Sequence, residues 1–112
     1  MSWSQAFLLT QLIEISVGLL IWRGIPRYMV VLYVFLASSF THPIVWFVIP
    51  KFAEKYAWSY LVFLLFAEAY AYLVEFGWYR YLDAKKPFLL SCVLNTCSFL
   101  AGLLIYYCLD YF

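Results

Sequence analysis

Glu14, Glu68 and Glu75 lie inside stretches that are otherwise apolar enough to cross a lipid bilayer, and of all the side chains in this 112-residue sequence they are the most able to do chemistry. A charged, unpaired carboxylate at bilayer depth costs about 3 kcal/mol, so it is kept only where a partner, a cavity or a proton lowers that cost. The chemistry open to such groups is proton uptake and release, or hydrogen bonding between helices.

Their polar companions fall at one-face helical spacings. Gln11, Glu14 and Gly18 are spaced i, i+3, i+7; Ser38, Thr41 and His42 are spaced i, i+3, i+4. Glu68, Ala71 and Glu75 repeat the first pattern, and Ser91, Asn95, Ser98 and Gly102 follow at i, i+4, i+7, i+11. In lipid, small and polar side chains face other helices, so four such stripes predict a bundle with a polar seam. Ser98-xxx-Gly102 and Ala67-xxx-Ala71 are expected to allow close helix approach. At about 1.5 Å per residue, counted from the outer edge, Glu14, Glu68 and Asn95 share a central layer with His42 beside it. The same count puts Glu75, Ser91 and Arg80 near the opposite interface, with Glu75 an anchoring charge. Pro43 cannot donate to the carbonyl of Ser39, so a bend is expected next to His42.

The elements that must position these residues follow from composition. The chain is 68% apolar and 12% charged, too little polar surface for a water-soluble domain. Four blocks, approximately 4–22, 28–49, 57–78 and 88–107, each have the length of one helical span. The expected fold is an all-α membrane protein: a single domain over 1–112, with four transmembrane helices arranged as two helical hairpins and no soluble domain. The first block is read as a retained span, because Met1 to Gln5 carry no basic charge and Gln11 and Glu14 interrupt its apolar run. Arg23, Arg27, Arg80, Lys85 and Lys86 lie on one side of the spans, against Lys51 and Lys55 on the other. That bias predicts loops 23–27 and 80–86 in the cytoplasm and both termini outside, in the inner (plasma) membrane of a bacterium.

Aromatic residues make up 24% of the chain. Trp22, Tyr28, Trp78, Tyr79 and Tyr81 are expected at one interface, and Trp3, Tyr56, Trp58, Tyr106, Tyr107 and Tyr111 at the other. Cys92, Cys97 and Cys108 share one block without metal-ligand spacing and read as small buried residues. No metal, cofactor or nucleic-acid partner is expected.

The two halves of the chain also match. Leu12-Ile13-Glu14 resembles Leu73-Val74-Glu75, and each is followed by an arginine, Arg23 or Arg80. Fifteen residues past each arginine comes Ser38 or Asn95, and three further on Thr41 or Ser98. Two copies of a two-span unit would form a parallel repeat about an axis along the membrane normal.

Two functional expectations follow. The first is a non-catalytic accessory subunit, docking into a larger membrane assembly or onto copies of itself and using the seam as interhelical glue. The alternative is proton-coupled transport of a small solute, or ion conduction, through Glu14 and Glu68. Glu14 on the first span of a four-span chain of this length resembles the small multidrug resistance transporters, which place their coupling glutamate similarly. The resemblance covers size, span count and that one position. The glycine-rich third span of that family is absent, since residues 57–78 hold only Gly77, and Glu68 and Glu75 have no counterpart. Membership is therefore not assigned. An enzyme is not expected: Glu68 and Glu75 stand two helical turns apart, about 10 Å, too far to share a proton directly.

Overall fold

The computed structural model describes the backbone of residues 2–111 and, beyond residue 105, only the side chain of Cys108. Tyr106, Tyr107 and Tyr111 of the expected outer aromatic belt therefore lie outside the described side chains. Among the described residues the chain is all-helical: α1 (Trp3–Ile21), α2 (Arg27–Pro43), a π turn (Ile44–Val48), α3 (Ile49–Lys55), α4 (Tyr60–Tyr81) and α5 (Pro87–Tyr111). The π turn joins α2 and α3 into one helix, Arg27–Lys55, so four helices are long and apolar enough to cross a membrane.

Local chemistry sets the helix ends. Ser2 and Gln5 cap α1 reciprocally: the Ser2 hydroxyl accepts the Gln5 N–H at 3.2 Å, and the Gln5 side chain accepts the Ser2 N–H at 3.0 Å. Ser59 caps α4 by accepting the Val62 N–H. Gly24 adopts φ +99° in the first loop, where the left-handed turn suits a residue without Cβ. Pro43 and Pro50 flank the π turn. Each lacks the N–H that would reach back to Ser39 and Trp46, so the α-helical ladder fails at two positions seven residues apart. The N–H of Ile49 instead donates to the carbonyl of Ile44, five residues back. The bend expected at Pro43 thus takes the form of a widened turn.

The long helices pack in the order α1, α2, α4, α5 around the bundle, each against two neighbours. The two glutamate helices, α1 and α4, stand diagonally. Loops 22–26 and 82–86 meet at one end, here the tip end. Trp3 meets Phe47 at the other, the terminal end. The apolar core fills the tip half: Val30, Val34, Tyr79 and Leu94 are fully buried, with Trp22, Ala37 and Leu90 around them. Gly18 makes this packing possible, because a Cβ there would stand 3.0 Å from a methyl of Val34. Gly102 has open space in that direction, so the close approach expected from Ser98-xxx-Gly102 is not made there.

Burial is inverted relative to a water-soluble bundle. Gln11, Glu14, Ser38, Thr41, Glu75, Ser91 and Asn95 are buried, while Leu8, Leu12, Leu73 and Leu104 are each about two-thirds exposed. Two expectations for the aromatic belt change. Trp22 and Tyr79 are core residues, packed edge to face at 5.4 Å. Tyr28 and Tyr81, by contrast, are exposed as expected. The cysteines are less buried than expected: Cys92 and Cys97 are half-buried, Cys108 is exposed, and all three are free.

Candidate functional site

Above the core, toward the terminal end, a cavity of about 140 Å³ opens between the helices. Glu14 enters it from α1, Thr41 and His42 from α2, Glu68 and Glu75 from α4, and Asn95 and Ser98 from α5. All three glutamates share this cavity, and none of its lining residues is a lysine or arginine.

Glu14 is 1% exposed, and both of its oxygens are used. One accepts the Ser38 hydroxyl of α2 and the other the Ser98 hydroxyl of α5, the latter at 2.9 Å. The carboxylate thus ties three helices together. Glu75 is equally buried, at 1% exposed, and far less well served. The Thr41 hydroxyl lies 3.5 Å from one oxygen, and the other oxygen has no partner. Asn95 stands in the same cavity but gives its amide to the Ser91 carbonyl at 2.9 Å. Glu68, two turns before Glu75 on α4, is only half-buried, because the face of α4 turned inward runs Ala67, Ala71, Glu75, Tyr79.

The depth expected for Glu75 is therefore corrected. It is a buried group of the cavity, whereas Arg80 is exposed. Counted from the tip end, Glu14 is seven residues from Ile21 and Glu75 six from Tyr81, each about 10 Å in. Helix α4 is three residues longer than α1, 22 against 19. Counting from the outer edge placed that excess on the wrong side of Glu75.

His42 occupies an aromatic box. Phe7 meets it edge-on at 5.5 Å, and Trp46 stacks on it at 6.0 Å with planes 10° apart. Its buried Nε2 has no hydrogen-bond partner. Trp46, four residues after His42 and within the π turn, lines the cavity as well. Gln11 donates to the Phe35 carbonyl at 3.2 Å, one turn of α1 from Glu14. Ser91 donates to the Tyr72 carbonyl at 2.8 Å, joining α5 to α4 below the cavity.

Three features of the site escaped the sequence reading. The Tyr79 hydroxyl is buried without a partner, one turn past Glu75 on the same face. Its i+4 spacing from Glu75 is legible in the sequence, although its neighbours Trp78 and Tyr81 point to an interfacial belt. Thr10, at i−4 from Glu14, also lines the cavity. The π turn had a signal in the paired prolines, Pro43 and Pro50. Among the described residues, no three of His, Cys, Asp and Glu are grouped so as to hold a metal ion. The acidic groups and the imidazole are separate stations around a small space. Comparison with protein-family models, with curated proteins and with solved structures yields no match.

Proposed function

We propose that this chain is an integral membrane protein whose four long helices cross the bilayer, and that it takes up, passes on and releases protons at the carboxylate cavity. The observation that carries this reading is that three glutamates share one cavity whose lining holds His42 but no lysine or arginine. A carboxyl at bilayer depth sheds its charge most directly by taking up a proton, so a proton is the natural carrier. The unpartnered Glu75 oxygen, Tyr79 hydroxyl and His42 Nε2 are polar atoms free to hold it in turn. The role assigned is non-catalytic: no covalent step is involved.

The inverted burial supports insertion, since apolar residues cover the outside and polar ones fill the interior. Five basic residues at the tip end against Lys51 and Lys55 at the other favour the tip end in the cytoplasm. The duplicated-unit reading also gains support. Ser38 and Asn95 are equivalent in the repeat, as are Thr41 and Ser98. Glu14 bonds Ser98 of the other half, and Glu75 meets Thr41 of the other half.

A second reading, the accessory subunit, is favoured by Glu14 alone. With both oxygens spent on hydroxyls of two other helices, that residue serves as glue. Purification in mild detergent with mass spectrometry of whatever accompanies the chain tests it; a lone monomer removes its support.

The proton reading is tested by reconstituting the protein in phospholipid vesicles with an imposed pH gradient and a trapped pH-sensitive dye. Wild-type protein is expected to collapse the gradient, and Glu75→Gln to slow the collapse at least about tenfold, as expected for removal of a proton-transfer group. Equal rates in wild type, Glu75→Gln and Glu68→Gln would end the proposal.

A further inference from the structure

A second cleft, of about 530 Å³, lies at the tip end, separated from the carboxylate cavity by the packed core. Loops 22–26 and 82–86 form its two sides. Arg23, Lys85 and Lys86 line it against a single acid, Asp83. Among the described residues none of these three cations makes a side-chain hydrogen bond, whereas the neighbouring Arg27 is engaged with the carbonyl of Leu19 at the end of α1. The cleft also holds the start of α5: Pro87 opens that helix directly after Lys86, and the first-turn N–H groups bring further positive potential to the same place.

The rest of the lining is apolar. Ile21 and Leu89 both line the cleft and are 45% and 53% exposed, so its apolar wall continues onto the outer surface of the bundle. Exposed Tyr28 and Tyr81 mark the same level as one where amphipathic rings sit between lipid and water. A soluble anion would have no use for that wall. An amphiphile with a phosphate head and acyl tails matches both halves of the lining.

We propose that this cleft binds an anionic phospholipid, its phosphate held by Arg23, Lys85 and Lys86 and its acyl chains leaving past Ile21 and Leu89. The inference rests on the membrane-spanning reading but not on proton movement. Basic pockets between helices at the cytoplasmic face suit such headgroups, each cation near the surface adding about 1 kcal/mol, or roughly fivefold in affinity.

The test is native mass spectrometry of the full chain purified in mild detergent and offered equal amounts of phosphatidylglycerol and phosphatidylcholine. Wild type is expected to retain phosphatidylglycerol at least about tenfold better. Lys85→Gln with Lys86→Gln should abolish that preference, while the charge-matched pair Lys51→Gln with Lys55→Gln, at the other end, should leave it intact. Arg23→Gln provides an independent variant, and unchanged thermal unfolding in detergent shows that the exposed substitutions leave the fold alone. Equal retention of the two lipids overturns the proposal, as does an equal loss in the Lys51/Lys55 pair. Displacement of phosphatidylglycerol by excess inorganic phosphate also overturns it, assigning the cleft to free phosphate. Retention of the chain in carbonate-washed membranes reports insertion separately, so a failure there falls on the membrane-spanning reading instead.

Discussion

Glu14 and Glu75 are equally buried carboxyls of one cavity, yet one is anchored and the other is not. Both are 1% exposed, and both lie about 10 Å from the tip end. Glu14 has a hydroxyl on each oxygen. Glu75 has one distant hydroxyl and one oxygen without a geometric hydrogen-bond partner, while Asn95 beside it donates to the Ser91 carbonyl. The difference separates two uses of a buried carboxyl. A fully bonded buried carboxyl ties helices together, whereas one left partly bonded carries an unrelieved desolvation cost.

The sharpest way to break this comparison is to truncate each in turn. Glu14→Ala and Glu75→Ala remove the same atoms from equally buried sites, so transfer and cavity costs nearly cancel between them. What remains is the hydrogen bonding. Glu14→Ala strands the Ser38 hydroxyl, while Ser98 keeps the Asn95 carbonyl at 3.1 Å, and should cost about 1 kcal/mol more than Glu75→Ala, by unfolding in detergent with increasing dodecyl sulfate. Equal losses would mean that the two sites are energetically alike and that the contrast in bonding is without consequence.

A related contrast concerns the glycines. Gly18→Leu must push into Val34, a fully buried β-branched neighbour, and should destabilise the bundle by about 2 kcal/mol. Gly102→Leu meets open space and should be neutral or slightly stabilising, since leucine is the better helix former. The same unfolding assay checks both. If Gly102→Leu proved the more damaging, the tight packing would lie at the other end of α5, not around Glu14.

Much of this arrangement was legible in the sequence. The four long apolar helices follow from block length, and the buried face of α1, Gln11, Glu14 and Gly18, is the stripe that the spacing predicted. The face of α4 was less legible. Glu68 and Glu75, seven apart, lie within about 20° of one another around a helix, so the spacing groups them in one stripe. The packed stripe instead runs at i+4 through Ala67, Ala71, Glu75 and Tyr79, leaving Glu68 to one side. Depth was harder still, because it depends on how helices of unequal length are offset, and single-helix periodicity carries no information about offset. The π turn depends on two prolines acting together across a helix that composition alone reads as continuous.

The finest test compares the hydroxyls themselves. Ser38 and Thr41 lie one turn apart on α2, both buried, one serving Glu14 and the other Glu75. Interhelical hydrogen bonds in membrane bundles average about 0.6 kcal/mol and reach about 1.7 kcal/mol at most. Ser38→Ala should fall toward the upper figure, because it removes one of two good bonds to a fully buried carboxyl. Thr41→Val keeps the shape of the side chain and removes only a 3.5 Å contact, while the Thr41 hydroxyl already has the Ala37 carbonyl at 3.3 Å. Its cost should be no more than about 0.5 kcal/mol. A Thr41→Val loss equal to that of Ser38→Ala would show that Glu75 is held as firmly as Glu14. The bare oxygen would then no longer distinguish the two halves.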